Sequence, residues 1–185
     1  MLESVRHMDG SPSFFLAGTM QGSRPGIEVM NQGYRDELRR IISGFYPASK
    51  LLCPLEILTE KFGTRRSEMA AHYANTVSAG ILEATAYDDQ MKEILTAFTE
   101  LVRLAATTDV VVAYIPDHEA SMGTAMEIWS AYAARRVVIG ISPMRHNLAL
   151  VSTCAVVLPT LADFEEFLRK GRLGKLALHR RREHP

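Results

Sequence analysis

The stretch 109-DVVVAYIPDHEASMGTAMEIWSAYA-133 decides the fold of this chain. Residues 109–115 (DVVVAYI) are almost all β-branched or apolar, which predicts a parallel strand that is buried on both faces. Residues 124–134 then predict a helix, and residues 136–141 (RVVIGI) predict another strand. A strand, a helix and a second strand in this order form the unit of a parallel sheet with right-handed crossovers.

The same alternation continues on both sides of this unit. Before it, we predict strands at residues 13–17 and 51–55, a helix at 27–43 closed by Gly44, and largely helical chain at 67–103 with a break at Asp88 and Asp89. After it, we predict a short helix at 144–151, a last strand at 155–158 and a final helix at 161–168. These elements predict a parallel sheet with helices on both faces, and such sheets bind ligands at the carboxyl ends of their strands.

The composition is that of an ordinary soluble globular domain, since 47% of the 185 residues are hydrophobic and 23% are charged. Lys plus Arg and Asp plus Glu both number 21, so no net charge favours nucleic acid or an anionic membrane as a partner. No apolar stretch approaches the roughly 18 residues that span a bilayer, and no signal peptide is recognisable. Two cysteines, Cys53 and Cys154, do not make a disulfide framework. We expect a cytoplasmic protein.

The chain is expected to form one domain over residues 1–168. Residues 169–185 are rich in Arg, Lys and His, and we interpret them as a basic helix end and a solvated tail rather than as a nucleic-acid contact. Several common enzyme signatures are absent from the sequence. There is no Gly-x-Gly-x-x-Gly after the first strand, no phosphate-binding Gly-x-x-x-x-Gly-Lys-Ser/Thr, no Cys-x-x-Cys, no paired histidines at metal-ligand spacing and no Gly-x-Ser-x-Gly.

The segment SMGTAME, residues 121–127, follows the loop after the clearest strand. We expect Thr124 to open a helix and Glu127 to lie in its first turn, where the positive helix end would keep the carboxylate ionised. An ionised, positioned carboxylate is what nucleophilic attack on the anomeric carbon of a sugar requires. The alternative is that Thr124 and Glu127 form a capping box and only satisfy helix amides.

Two further segments lie at predicted strand ends. Gly18-Thr19-Met-Gln21-Gly22, followed by Ser23, Pro25 and Gly26, is a loop that could hold an anion through backbone amides, or simply join a strand to a helix. RHNLAL, residues 145–150, places Asn147 where it could be a functional side chain or only a helix cap.

Taken together, these segments resemble the nucleoside 2-deoxyribosyltransferase superfamily. The matching segments occur in the family's order and span roughly residues 13–168. They are FFLAG with GTMQG, DVVVAYI, GTAMEIWSAYA, RRVVIGI and NLALVSTCAVVL. The resemblance implies an α/β, flavodoxin-like (Rossmann-like) three-layer sandwich with about five parallel strands in the order 2-1-3-4-5. It also implies cleavage of an N-glycosidic bond through a glutamyl-sugar intermediate, with Glu127 as the nucleophile. Asn147 matches an asparagine that family members insert into the neighbouring subunit's site, which implies a homodimer or a larger homo-oligomer.

Within the family, this chain is most similar to the branch that hydrolyses 2'-deoxynucleoside 5'-monophosphates. The transferases have Asp six residues before the nucleophile, whereas this chain has Ser121, as that branch does. An Asp there would repel a 5'-phosphate a few Å away by about 4 kcal/mol at an effective dielectric constant near 20, whereas a hydroxyl donates a hydrogen bond to it. The phosphate would then be bound by the Gly18–Gly22 loop and the start of the helix, through Thr19, Gln21, Ser121 and the amide of Gly123.

Two positions depart from the family pattern. The family's tyrosine that orients the nucleophile is replaced by Phe15, with Tyr114 or Tyr132 as candidate substitutes or packed aromatics. The family's acid that anchors and protonates the departing base is replaced by Leu101. Glu100, one position away, and Asp117 are the candidates for that role, and Asp109 is interpreted as structural.

The chemistry implied by the resemblance requires no metal and no redox cofactor. The alternatives are a transferase that exchanges bases, a glycosidase that cleaves NAD or another nucleotide signal, and a non-catalytic module that senses a nucleotide. Phe15 and Leu101 favour the sensor because both replace catalytic helpers with inert groups. Glu127 argues against it, because a protein that only binds an anionic nucleotide gains nothing from a buried carboxylate.

Overall fold

The computed structural model describes residues 11–22 and 30–176, in which a five-stranded parallel sheet has helices on both faces. The strands are β1 (Phe14–Gly18), β2 (Leu51–Leu52), β3 (Val110–Tyr114), β4 (Val137–Ile141) and β5 (Val156–Leu158). Seven α-helices within the described ranges flank the sheet: α1 (Tyr34–Phe45), α2 (Pro54–Phe62), α3 (Arg66–Val77), α4 (Asp89–Ala105), α5 (Met122–Ala133), α6 (Leu148–Thr153) and α7 (Leu161–Arg169). Residues 172–176 are also helical.

The strand order is β2-β1-β3-β4-β5, and every neighbouring pair is parallel. The predicted flavodoxin-like α/β architecture and the predicted order 2-1-3-4-5 are therefore confirmed. The chain passes from β1 outwards to β2 and then returns across β1 to β3, so the order reverses between β1 and β3. At this point the connecting helices diverge to opposite faces and leave a crevice at the carboxyl ends of the strands.

The core has one layer on each face of the sheet. Strand residues such as Phe14 and Leu16 point towards α1 and α7, where Phe164 is fully buried. The alternate residues, such as Phe15, point towards α5 and the end of α4, where Ile128 is buried. Two-residue alternation along each strand supplies both layers, because successive side chains of a strand lie on opposite faces.

The start of the sheet is fastened by one carboxylate. Asp109 Oδ2 accepts hydrogen bonds from the backbone N–H of Ser13 at 2.8 Å and from the Ser13 hydroxyl at 2.7 Å. The Asp109 N–H donates back to Ser13 Oγ at 3.0 Å. This group joins β1 to β3 at the edge opposite the carboxyl ends, and the structural interpretation of Asp109 is confirmed.

Helix α1 begins later than the sequence pattern predicts. The predicted helix at 27–43 starts in the structure at Tyr34, after Gly33, and continues past Gly44 to Phe45. Residues 30–33 are not helical, because Met30 N–H donates to the carbonyl of Met20 at 2.8 Å and so joins this segment to the β1 loop. The apolar period from residue 27 onwards therefore belongs partly to a loop; residues 27–29 lie outside the described ranges.

The second strand is also shorter than predicted. It comprises Leu51–Leu52 rather than residues 51–55, because Pro54 begins helix α2 at its first position, where a missing N–H costs nothing. Helices α2 and α3 pack against α4 through a small cluster containing Phe62, Met69 and Ala97. The predicted break at Asp88 and Asp89 is confirmed, since Asp88 caps the start of α4 by accepting the Met91 N–H.

Candidate active site

The carboxyl ends of β1 and β3 lie side by side at the point where the strand order reverses. Gly18 pairs with Tyr114, and the N–H of Thr19 donates to the Tyr114 carbonyl at 3.1 Å. A Cβ at Gly18 would lie 2.5 Å from the Tyr34 hydroxyl and 2.8 Å from the Tyr114 carbonyl, so only glycine fits. Thr19 is fully buried, and its Oγ1 has no hydrogen-bond partner within the described residues.

Helix α5 starts beside these strand ends. Its cap is Ser121, whose hydroxyl oxygen accepts from the N–H of Thr124 at 3.3 Å and from Thr124 Oγ1 at 2.9 Å. The predicted start at Thr124 and the capping-box alternative are both wrong, because Thr124 is already inside the helix and Glu127 lies in the second turn. Gly123 is in the first turn, against the ring of Phe98, so its amide is at the helix end as expected.

Glu127 is buried, with 7% of its surface exposed. Burial raises the pKa of its carboxyl group to about 8, while the positive charge of Arg35 acts in the opposite direction. Within the described residues, no group donates a hydrogen bond to this carboxylate. The expectation that the helix end keeps Glu127 ionised is therefore wrong, because the loss of water around the carboxylate outweighs the helix dipole.

Arg35 is the charged residue that the structure adds to this site. It is buried, with Nη1 donating to the Leu16 carbonyl at 2.5 Å, Nη2 to the Gly18 carbonyl at 3.4 Å and Nε to Gln32 Oε1 at 2.8 Å. Sequence reasoning missed it because the apolar spacing of residues 27–43 predicts one uninterrupted helix. The signal was present, since Arg35 lies three and seven positions before Leu38 and Ile42 and so shares their buried face.

Tyr34 is the second residue of the site that sequence reasoning missed. Its hydroxyl donates to the Thr19 carbonyl at 3.3 Å, and its ring lies 4.7 Å from the ring of Tyr114 and 5.0 Å from the Arg35 guanidinium. Burial raises the pKa of the phenol well above its usual range; the charge of Arg35 acts in the opposite direction, and Glu127 adds to the rise. Tyr34 is therefore a neutral hydroxyl donor near the carboxylate.

The loop after β1 has an acidic neighbour. Gly22 adopts a φ of 63°, and a Cβ there would clash with the Glu119 carboxylate, so this carboxylate packs directly against the glycine. Gln21 is partly buried in the same loop. Ser23, Pro25 and Gly26, which were expected to complete the anion-binding loop, lie outside the described residues.

The two candidates for the base-protonating acid occupy different places. Asp117 lies in the loop between β3 and α5, at the carboxyl edge of the sheet; it is exposed and has a φ of 54°. Glu100 lies on the exposed side of α4 and accepts a hydrogen bond from Lys61 Nζ at 2.7 Å. The structure therefore brings Asp117 to the same edge as Glu127 and gives Glu100 an ion pair on the surface.

The positions that depart from the family pattern are packed. Phe15 is fully buried and Leu101 almost so. Tyr114 is at the strand end, against Tyr34, whereas Tyr132 lies on the outer side of α5 against Trp129, with ring centroids 5.6 Å apart. Of the two tyrosines considered as substitutes for the missing hydroxyl, Tyr114 therefore lies at the strand ends beside Tyr34, and Tyr132 does not.

Asn147 caps helix α6, because its Oδ1 accepts from the Leu150 N–H at 3.2 Å. The residue itself is exposed, and so is Leu148, which directly follows it. The helix-cap interpretation of Asn147 is confirmed. A cap fixes the direction of an exposed loop, and this is compatible with a further contact made by the same side chain.

An apolar face covers the outer side of α5 and its neighbours, opposite Glu127. We define it by its exposed large side chains, which are Phe98 on α4, Met122, Met126, Trp129 and Tyr132 on α5, and Leu148 and Val151 on α6. A groove of about 710 Å³ lies between α4 and α5, lined by Met126, Trp129 and small residues. Glu127 does not line this groove.

The described ranges, 11–22 and 30–176, contain neither a metal cluster nor a membrane-spanning helix. No group of three or more His, Cys, Asp or Glu side chains in them is arranged to hold a metal ion. Of the helices in the same ranges, none combines the length and the apolar character needed to cross a membrane. Neither Cys53 nor Cys154 forms a disulfide bond in these ranges.

No family model and no curated protein matches the chain, but solved structures do. The chain is similar to a conserved protein from Enterococcus faecalis V583, with a TM-score of 0.51 and 20% identity over 86% of this chain and 98% of the other. It is also similar to a 2-deoxyribosyltransferase from the psychrotolerant bacterium Bacillus psychrosaccharolyticus, with a TM-score of 0.48 and 15% identity over 83% and 90% of the two chains. The first likeness shows a shared fold.

Proposed function

We propose that this protein cleaves the N-glycosidic bond of a nucleoside or deoxynucleoside 5'-monophosphate and belongs to the nucleoside 2-deoxyribosyltransferase superfamily. Glu127 is the nucleophile, and the products are the free base and the sugar 5-phosphate. One observation carries the proposal: a buried carboxyl group on α5 at the crevice between β1 and β3, with a pKa of about 8. No structural use of that carboxyl group within the described residues, in a cap or an ion pair, accounts for its burial.

A dehydrated carboxylate is suited to this chemistry. The transition state of glycosidic cleavage has oxocarbenium character, so positive charge develops at C1' only as the bond to the base breaks. A carboxylate that lacks water and hydrogen-bond donors gains more from that charge than a solvated one does. Glu127 therefore stabilises the transition state more than the bound substrate, which is the condition for catalysis.

The bonds of the reaction balance without a metal or a redox cofactor. A Glu127 carboxylate oxygen forms a bond to C1', and the electron pair of the C1'–N bond leaves with the base, which takes up a proton. Water then attacks C1' and the ester bond to Glu127 breaks, which returns the carboxylate and releases one proton. Asp117, at the same edge of the sheet, is the proposed donor of the first proton.

The preference for a 5'-monophosphate is supported by uncharged donors at the strand ends. The Thr19 hydroxyl is buried without a partner in the described residues, and Ser121 and the Gly123 amide begin helix α5. We therefore propose that the phosphate binds on the Thr19 and Ser121 side, with Gln21 at its margin.

The apolar face supports the proposal that the protein forms a homodimer or a larger homo-oligomer. Trp129 is 60% exposed and Met122 and Leu148 are about 80% exposed, which is unusual for large apolar side chains grouped together. The face extends from α5, which carries Glu127 on its other side, to α6, where Asn147 caps the helix start. A partner seated on this face would bring its own Asn147 loop close to the active site.

Base release is the measurement that tests this function. Ribo- and deoxyribonucleoside monophosphates, the matching nucleosides and NAD are incubated with the wild type and with Glu127→Gln, and free base is measured by chromatography. We expect release from monophosphates that Glu127→Gln lowers by at least about 10³-fold, because the neutral amide is a poor nucleophile. Activity of the wild type should rise with pH up to about 8, because the nucleophile must be ionised.

The same panel separates the alternatives. A second free base in the mixture yields a new nucleotide if the protein transfers the sugar rather than hydrolysing it. Faster release from nucleosides than from monophosphates would overturn the phosphate preference. Tight binding of intact nucleotide with no release from any substrate would overturn the enzymatic proposal, and the protein would then be a sensor.

A further inference from the structure

We propose that Arg35 is a positioning residue for the reaction: its guanidinium fixes the carboxyl end of β1 and supplies the buried positive charge against which Glu127 ionises. The expected effect of Arg35 on base release rests on the proposed function. The interaction between Arg35 and Glu127 does not, and a direct titration can measure it.

The contacts of Arg35 fasten the strand end that forms the site. Its guanidinium donates to the carbonyl of Leu16 and to that of Gly18, on either side of Ala17. Thr19, the next residue, has its own carbonyl bonded to the hydroxyl of Tyr34 and to Gln32 Nε2 at 3.2 Å. Side chains at and just before the start of α1 thus hold the chain at the end of β1.

The charge of Arg35 has no hydrogen-bonded carboxylate within the described residues. None of the acceptors bonded to it is a carboxylate: they are two backbone carbonyls, the Gln32 amide oxygen and the Cys53 sulfur at 4.0 Å. The arginines on the surface are different, since Arg39, Arg40 and Arg65 each pair with an exposed glutamate. A buried cation without a bonded carboxylate favours an anion nearby, and Glu127 is close enough for Arg35 to lower the pKa of its carboxyl group.

Few other groups compete for this role. Helix α1 contributes Tyr34, which remains neutral because burial raises the pKa of its phenol, and β3 contributes the phenol of Tyr114. Strands β1 (FFLAG) and β4 (VVIGI) and helix α6 (LALVST) have no titratable side chain. The acidic residues Glu93 and Glu100 of α4 are on its exposed side and pair with Arg65 and Lys61. Among the described residues, Arg35 is thus the buried cation whose charge acts on Glu127.

The test is a direct titration of Glu127 by NMR with carboxyl-labelled glutamate, in which Glu127→Gln identifies the resonance. In Arg35→Met, the pKa of Glu127 should be higher than in the wild type by about one pH unit or more, and base release at pH 7 should fall by about tenfold for each such unit. Arg35→Lys keeps a charge and should retain most of the wild-type pKa. Arg39→Met, one turn further along α1 and on the surface, is the matched control and should change neither quantity.

Circular dichroism and thermal melting of each variant show whether it folds. If Arg35→Met does not fold, Arg35→Lys keeps the proposal testable, because the ammonium cannot reproduce the three-way hydrogen bonding and should lower base release while preserving the pKa of Glu127. An unchanged pKa in a folded Arg35→Met protein would overturn the proposal. A raised pKa of Glu127 in Arg35→Met, together with no base release by the wild type, would support the interaction between the two side chains and overturn the proposed function instead.

Discussion

Glu127 is an acid whose ionised form is disfavoured by the fold. Its pKa of about 8 lies above the value of 4.5 for a solvated glutamate, so about one tenth of it is ionised at pH 7. Tertiary structure has created this property, since the same side chain in an exposed second helical turn would be ionised. The conflict between burial and charge at one residue is typical of catalytic acids and bases.

This conflict predicts how stability depends on pH. Between pH 4.5 and 8 the unfolded state has lost the Glu127 proton and the folded state retains it, so the free energy of unfolding falls as pH rises. The loss from this one group is on the order of 5 kcal/mol over that range. Glu127→Gln, which keeps the shape and removes the charge, should therefore melt at a higher temperature than the wild type at pH 8 and close to it at pH 5.

Thermal melting of both proteins from pH 5 to pH 8.5 measures this difference. Glu56→Gln, which removes a carboxylate on the surface, serves as the control and should follow the wild type closely. If Glu127→Gln melts below the wild type at every pH, the Glu127 carboxylate stabilises the fold, and its raised pKa is contradicted.

Residue-level prediction from the sequence succeeded where the signal was local. Gly18 and Ser121 could be placed at the carboxyl edge of the sheet, because Gly18 ends one strong apolar run and Ser121 begins the helix after another. Arg35 and Tyr34 could not be placed in the same way, because their position depends on a contact between residues ten positions apart, the hydrogen bond from the Met30 N–H to the Met20 carbonyl. The ionisation of Glu127 was mispredicted for a similar reason, since its burial in the folded chain is not encoded in the residues next to it.

At the scale of elements, the strands were predicted more accurately than the helices. β3, β4 and β5 were predicted within two residues of their observed ends, because buried parallel strands are continuous β-branched runs. Helix α2 was missed because a short run around Pro54 resembles the end of a strand as much as the start of a helix. The start of α1 was misplaced because apolar spacing alone does not show where a loop ends.

Helix α5 has different surfaces on its two sides. The inner side bears Thr124, Glu127 and Ile128, which are buried, while the outer side bears Met122 and Trp129, which are exposed. Helix α5 therefore contributes to the candidate active site with one side and to the apolar face with the other. A partner subunit bound to the apolar face would contact the helix that carries Glu127, and the proposal of shared sites in an oligomer rests on this arrangement.

At the scale of the whole molecule, we predict association through the apolar face. The mass of the wild type in analytical ultracentrifugation should be at least twice the 20.6 kDa of one chain. Trp129→Glu should shift the mass towards one chain, because a charge in the centre of such a face loses its water on association. Ile81→Glu places the same charge at an exposed position outside the face and is the matched control. A wild type that remains a monomer at all concentrations would exclude the shared site.

The most direct test of Glu127 as the nucleophile is to trap the sugar on it. The probe is a nucleoside 5'-monophosphate with fluorine at the 2'-arabino position. The fluorine slows hydrolysis of the glycosyl ester on the enzyme more than it slows formation of that ester, so the intermediate accumulates and can be located by mass spectrometry of peptides. We predict one sugar phosphate per active site on the α5 peptide that contains Glu127, formed together with an equal amount of free base, and no such adduct in Glu127→Gln. Release of base without an adduct on Glu127, or with one on another residue, would contradict this assignment.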